Sequence, residues 1–434
     1  MKPNEGYVRF QTNGLDFWKA YEEFWMANPG FPGISSKKER KEDAQMGTKK
    51  YGGLVVCLFA VLVLGIASAP AQETLKIGVI APLSGTGAGW GLALRAGAEL
   101  AADDINAQGG LDVGGKKYKL TVIPYDDQYK GPVAADAANR LVFMDKVKYI
   151  IGPMGSAAGL AAQEITEPNK VFFVGDSFTP KFLGPKKLFS FRTTMTSFEF
   201  ALPMIKWFKE KYPNLKKIAI TGPNDESGWE TAGSSIEAHK AIGHEMVFQD
   251  YYERGTVDFM PLLNKAFAQK PDVFNWNGTN PGDCGLLQKQ ARQMGFKGMI
   301  IKVGGPGTPE MMKIAGKELM EGFMYYSPID PDDAKIKEII KKYEAKFPPP
   351  MNGFMPQFYD GTMWLLEAVK KAGTVTDTDK VREVFEKLSY EGRYTGHMSW
   401  TGKALYGIDH QVKFPFYVMQ IKGGQEVVVD KVVP

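Results

Sequence analysis

From Leu75 onward the chain alternates short apolar runs with longer segments whose apolar residues recur every three to four positions. The runs LKIGVIA (75–81), KLTVIPYDD (119–127), VKYIIG (147–152), VFFVGDS (171–177) and LFSFRTT (188–194) are rich in β-branched and aromatic residues and end in turn formers, which predicts strands. Residues 92–107, 132–146 and 158–168 between them carry helical spacing. The pattern then restarts. KKIAITG (216–222), EMVFQDYY (245–252), DVFNWNG (272–278), GMIIKVGG (298–305) and GFMYYSP (322–328) interleave with helices near 229–242, 258–269 and 284–294. Nearly continuous apolar strands separated by helices indicate parallel sheets covered on both faces, and two series predict two similar α/β lobes. Helices near 333–346, 354–372 and 379–388 then lead to FPFYVMQI (414–421) and EVVVDKVV (426–433), which complete one lobe and return to the other; KFPPPMNG (346–353) is a stiff surface loop.

The segment before Leu75 reads differently. Lys49 and Lys50 precede an apolar run from Leu54 to Ile66 and then Ala67, Ser68, Ala69, Pro70 and Ala71. A basic start, a short apolar stretch and a small-x-small end are the layout of a secretory signal, with cleavage expected after Ala71 and translation starting at Met46. Residues 1–45 are then an upstream extension or tail; the other reading is a true N-terminal tail with 54–66 as an uncleaved anchor. The remaining chain still exceeds the roughly 250–300 residues that one core supports, so two domains are expected. The 53 Lys and Arg against 49 Asp and Glu form no basic block, which argues against a nucleic acid or charged membrane surface as partner. Of two cysteines, Cys57 lies in the signal, leaving Cys284 without an intramolecular partner. Export without disulfides suits a periplasm.

The glycine-rich turn SGTGAGWG (84–91) resembles a dinucleotide loop only superficially. A fingerprint needs glycines at the first, third and sixth positions, and the sixth is Trp90 counted from Gly85 or Leu92 from Gly87. The acids ending the next strand, Asp126 and Asp127, also fall about twice as far on as the usual ~20 residues. Two readings remain: a flexible turn, or a loop presenting Trp90 as an apolar wall. VGDSFT (174–179) matches the Gly-Asp-Ser opening of one esterase class, but none of His239, His244, His397 and His410 lies in a recognisable catalytic motif. No metal-ligand spacing is present, and neither a cofactor nor a metal is expected. Cys284 reads as a packed small residue. What remains is Ser156, Ser177 and Thr179 just past strand ends, where hydroxyls and helix-start N–H groups build an anion site without fixed positive charge, or act as ordinary helix caps.

Several segments in order, namely IGVIAPLSGTGAGWG, GAELAADDINAQGG, YDDQ, IIGPMGSAAG, FRTT, IAITGPND, QARQMGFKG and QFYDGTMWLLEAV, resemble the type I periplasmic solute-binding proteins, specifically the leucine/isoleucine/valine-binding group of ABC importers. The resemblance covers nearly all of 74–434. It implies an α/β fold of two Rossmann-like lobes with parallel sheets joined by three crossovers, a Venus-flytrap closing on ligand. The lobes would be 74–195 plus 328–397 and 196–327 plus 398–434, with crossovers near Thr194, Tyr326 and Gly396. It implies Trp90 as the aromatic cleft wall, Ser156 as the group holding a ligand carboxylate, and Ser177 and Thr179 as its neighbours.

At other ligand-binding positions this chain departs from the family. One second-lobe aromatic position holds Asn280, another falls near Ser227, and the acid that pairs with the ligand ammonium falls near Gly304. A buried ammonium left without a carboxylate costs several kcal/mol; the acids available to substitute are Asp225, Glu226 and Asp283. The family's disulfide positions hold Tyr129 and Gly155. The implied protein is a periplasmic, monomeric, non-enzymatic binding component that delivers a small carboxylate-bearing solute to ABC permease subunits. A branched-chain amino acid is the family default, and an amine-free organic or aromatic acid explains the retained hydroxyls and lost acid together. A soluble ligand sensor of the same fold is the alternative.

Overall fold

The computed structural model describes residues 72–434. The leader, its cleavage after Ala71 and the start at Met46 lie outside the described residues. Strands are numbered in chain order: β1 Glu73–Ala81, β2 Leu111–Val113, β3 Lys116–Asp126, β4 Tyr149–Met154, β5 Phe172–Asp176, β6 Ser190–Phe191, β7 Lys217–Pro223, β8 Glu245–Tyr252, β9 Val273–Asn277, β10 Met299–Val303, β11 Met324–Ser327, β12 Tyr390–Gly392, β13 Gly396–Met398, β14 Trp400–Thr401, β15 Gln411–Val412, β16 Phe416–Lys422 and β17 Gln425–Val432. They form two main sheets, ordered β2-β3-β1-β4-β5-β6 and β17-β16-β11-β10-β9-β7-β8.

Both sheets are parallel in their centres, as the apolar runs predict, and antiparallel at an edge. In the first, the Gly114-Gly115 turn, with φ of 63° and 82°, folds β2 back on β3. Two successive positive φ angles are what a tight hairpin turn demands. In the second, β16 runs antiparallel to both β11 and β17. Alternation along the strands fills both faces. In β4, Tyr149 and Ile151 cluster with Phe172, Phe358 and Leu365, whereas Ile150 clusters with Ala134, Ala158 and Leu141. Helix starts follow their caps: Thr196 and Glu199 form a reciprocal capping box on Ser197–Lys211, and Asp225 accepts from Gly228 N–H ahead of Glu226–Ala241.

Two stretches depart from the expected boundaries. The run 132–146 is helical only over Gly131–Asn139 and continues as a π-helical turn, Arg140–Met144. The third crossing also lies later than Gly396. Trp400 stacks on Trp364 at 4.1 Å between ring centroids, and His410 on Phe191 at 3.8 Å. Arg192 N–H donates to His410 O, and Val412 N–H to Arg192 O. Residues 400–412 are therefore packed on the first sheet, and the chain joins the second only at β16. The reason is aromatic burial: Trp364, Phe385, Trp400 and Phe191 make one cluster that a boundary at Gly396 would divide.

Candidate functional site

In each sheet the connection reverses direction once, between β1 and β4 in the first and between β7 and β9 in the second. Crevices outside the carboxyl ends of strands at such points are where open α/β sheets bind ligands. Here the two crevices face each other. Trp90, Tyr129, Met154, Gly155, Asp176 and Phe178 from the first sheet's loops, with Phe354 beside them, meet Ser227, Thr231, Gly278 and Gly305 around a small cavity.

The loop after β1 is built as a wall. Asp126 accepts from Leu83 N–H at 2.9 Å and Ser84 Oγ at 2.6 Å, tying the turn to the end of β3. At Gly91 a Cβ would stand 2.0 Å from Pro82 O, so only glycine lets the helix Ala88–Ala107 start this close to its strand. The turn thereby delivers Trp90, 5% exposed, whose Nε1 donates to Pro306 O at 2.7 Å across the cavity. Its hydroxyls and glycines are spent on shaping the wall.

Tyr129 and Gly155, read from sequence only as lost cysteine positions, are in contact. A Cβ on Gly155, which has φ of 92°, would meet the Tyr129 ring at 2.7 Å. Asp127 accepts from Tyr129 N–H at 2.7 Å, and the ring lies 6.3 Å from that of Trp90. Tyr129 Oη donates to Ser227 Oγ at 3.3 Å, and the Arg254 guanidinium sits 4.3 Å from the ring centroid. Burial pushes the phenol up to about 12.

Ser156 opens the helix Ser156–Thr166. Its N–H donates to Ser227 Oγ at 2.8 Å, and its own Oγ accepts from Thr179 N–H at 3.1 Å. Thr179 Oγ1 donates to Glu230 at 3.2 Å, and Lys181 pairs with Glu226 at 2.8 Å. Ser156 and Thr179 are both fully buried and do not line the cavity themselves. Ser177, just past the end of β5, has its side chain 2.7 Å from where a Cβ on Gly159 would be, packed under the Ser156–Thr166 helix. It does not line the cavity.

Asn280 lines a neighbouring pocket with Ser84, Tyr129 and Arg254, and caps the helix Pro281–Gln293 by accepting from Asp283 N–H at 2.8 Å. Gly304 lies behind the wall, where a Cβ would be 3.5 Å from Lys302 Nζ. The three substitute acids are committed elsewhere. Asp225 pairs with Arg254, Glu226 with Lys181, and Asp283 accepts from Asn280 Nδ2 at 2.9 Å.

Sequence reasoning missed Asp176 and Lys302. Asp176 ends β5, is 2% exposed and lines the cavity; Thr194 Oγ1 donates to its Oδ1, and burial pushes it up to about 7. The signal was an acid closing a fully apolar strand. Lys302, 1% exposed within β10, donates to Gly305 O and lies 5.7 Å from the Trp90 centroid; burial lowers it to about 8. Among the described residues no cluster of three or more His, Cys, Asp or Glu is placed to hold a metal.

Comparison with known proteins gives four relevant findings. The family model described as periplasmic binding protein matches residues 74–425. The leucine-, isoleucine-, valine-, threonine- and alanine-binding protein of Pseudomonas aeruginosa is 28% identical over 353 residues, covering 80% of this chain and 91% of that one. Among solved structures, the branched-chain amino acid transporter substrate-binding protein LivJ of Streptococcus pneumoniae, in complex with isoleucine, superposes with a TM-score of 0.71 at 26% identity, covering 83% and 99%. A solute-binding protein from R. palustris, in complex with benzoate, shares the fold at a TM-score of 0.72 and 21% identity, covering 83% and 97%.

Proposed function

The chain belongs to the periplasmic binding protein family, and from that premise we propose that it is the substrate-binding component of an ABC importer, taking up a small carboxylate-bearing solute with an apolar or aromatic body. Such a protein acts in the periplasm and hands its solute to permease subunits without breaking a covalent bond. The ligand groups in this reading are Trp90 as apolar wall, Ser156 and Thr179 as the carboxylate's anchors, and Ser227, Asn280 and Gly304 on the facing side. The first lobe is 74–195 plus the chain from 328 to the return near Phe416; the second is 196–327 plus the remainder. Lobe closure about the crossovers traps the solute, and ligand favours closure only through contacts it makes better in that form.

The observation that carries this reading is the Ser156 N–H. It opens a helix, where donors point outward and the backbone dipole favours negative charge. An oxygen from the opposite wall, Ser227 Oγ, already accepts from it. A ligand carboxylate oxygen takes that place, with the aromatic walls supplying buried area. Leucine-type and aromatic acids both fit this description.

A thermal-shift screen tests it, with leucine, valine, phenylalanine, benzoate, short dicarboxylates, urea and simple amides. A ligand at about 100 times its dissociation constant adds about 2.7 kcal/mol, which raises the midpoint by several degrees. A rise with carboxylates and none with urea or amides supports the reading. A rise with urea or amides alone overturns it.

A further inference from the structure

We propose that Asp176 is the specificity-determining acid of this site, that it accepts a hydrogen bond from a protonated amine on the ligand, and that Lys302 keeps such a cation away from the facing wall. This rests on the carboxylate-binding reading above and adds to it the amine and its location. Charge is placed opposite to what the family resemblance implies: the acid stands on the first sheet and the cation on the second.

The geometry supporting this begins with strand register. Asp176 pairs with Met154 across β5 and β4, and Gly155 N–H donates to Asp176 O at 3.4 Å. The acid is therefore beside Gly155–Ser156, where the carboxylate is anchored. A carboxylate and an ammonium carried by one carbon have the spacing that two adjacent strand ends provide. Thr194 Oγ1 fixes Oδ1, and no protein donor to Oδ2 is present among the described residues. The acid lines a cavity otherwise walled by Trp90, Tyr129, Phe178 and Phe354. An unpaired carboxyl in such surroundings is costly to ionise unless a donor arrives with charge. Arg192 is the cation behind it, but its guanidinium is turned to Ser177 O at 2.7 Å and to the Tyr406 ring at 4.8 Å. On the facing wall, the ammonium of Lys302 already stands within 3.5 Å of where any side chain at Gly304 would start. A ligand ammonium placed there would meet like charge.

The test is calorimetric titration of the purified protein with three matched probes: leucine, its α-hydroxy analogue and 4-methylpentanoate, which differ only in amine, hydroxyl or hydrogen. The expected order is amine tightest, with leucine at least about tenfold above 4-methylpentanoate, as a charge-assisted bond in a buried site implies. Asp176→Asn is expected to remove that preference while leaving 4-methylpentanoate within about threefold. Thr194→Val, which frees Oδ1 without touching charge, is expected to reduce the preference partly and serves where Asp176→Asn does not fold. Equal or tighter binding of 4-methylpentanoate or the hydroxy acid by the unmodified protein overturns the inference and leaves the carboxylate reading standing. An amine preference that survives Asp176→Asn places the amine elsewhere and also overturns it. Failure of all three probes, with urea or an amide binding instead, overturns the underlying reading.

Discussion

The two walls of the cavity come from sheets of similar topology, yet they are spent differently. On the first wall, Asp176 lines the cavity with Oδ1 held by Thr194 of its own sheet, while Ser156 N–H and Thr179 Oγ1 bond across to the second wall. On the second, the polar groups are engaged before any ligand arrives: Ser227 caps Ser156, Glu230 accepts from Thr179, Asp225 binds Arg254 and Lys302 binds its own loop. In the proposed function the first wall recognises and the second closes. Two sheets of one architecture can therefore divide selection and closure between them, because function resides in the loops and not in the strands.

The sharpest way to break that division is at the residue both walls share. Trp90→Ala removes a buried indole from the recognising wall together with its bond to Pro306; we expect binding to fall by about 3 kcal/mol or more, the range of a central aromatic anchor. Circular dichroism is expected to stay unchanged, and unchanged binding would put the apolar wall elsewhere. Next, Ser156→Ala combined with Thr179→Ala removes both hydroxyls but leaves the Ser156 N–H, and is expected to weaken a carboxylate ligand by about 2 kcal/mol. Calorimetry giving the unmodified affinity would refute the hydroxyls as anchors and leave the backbone N–H as the one donor of the proposal.

The closing wall responds to pH. Glu310 presses its carboxyl against the start of the helix Ala88–Ala107 beside Gly89, and burial pushes it up to about 7 while Lys313 acts in the opposite direction. An acid with a raised folded value keeps its proton longer folded than unfolded, so its stabilisation is whole below about 4.5 and is lost as pH climbs to about 7. Glu310→Gln is expected to flatten the decline in thermal midpoint between those limits, with Asp127 and Asp176, also raised to about 7 by burial, sustaining the remainder. The smallest effect is expected from Glu230→Gln, which weakens a single partly exposed bond of about 0.2–1 kcal/mol. Ligand release measured by stopped flow should quicken slightly while selectivity among ligands stays fixed; a changed selectivity would mean that the second wall also recognises.

The fold was legible because burial on both faces writes long apolar runs and helices write their own period. What escaped were features set by contacts distant in sequence. The β2–β3 hairpin had a local signal, Gly114-Gly115, between a three-residue strand and an eleven-residue one. The assignment of 400–412 had none, since Trp400 and His410 find Trp364 and Phe191 only in three dimensions. At the site, the family pattern pointed to Trp90, which lines the cavity, and to Ser156, which opens the helix behind it. Asp176 was read only as part of an esterase-like tripeptide, and Tyr129 only as a missing cysteine. Their cavity roles depend on side-chain direction at strand ends, which a period of two residues does not fix once the strand stops.

The bond from Trp90 to Pro306 has one more consequence. Beside the Tyr129 ring of its own wall, the indole has its N–H held by a carbonyl and its face near an ammonium, both from the opposite wall, and those two contacts require the walls to meet. In the lobe motion proposed above, opening would exchange those two contacts for water, and tryptophan emission, with Trp90→Phe as the blank, would then gauge closure without any attached label.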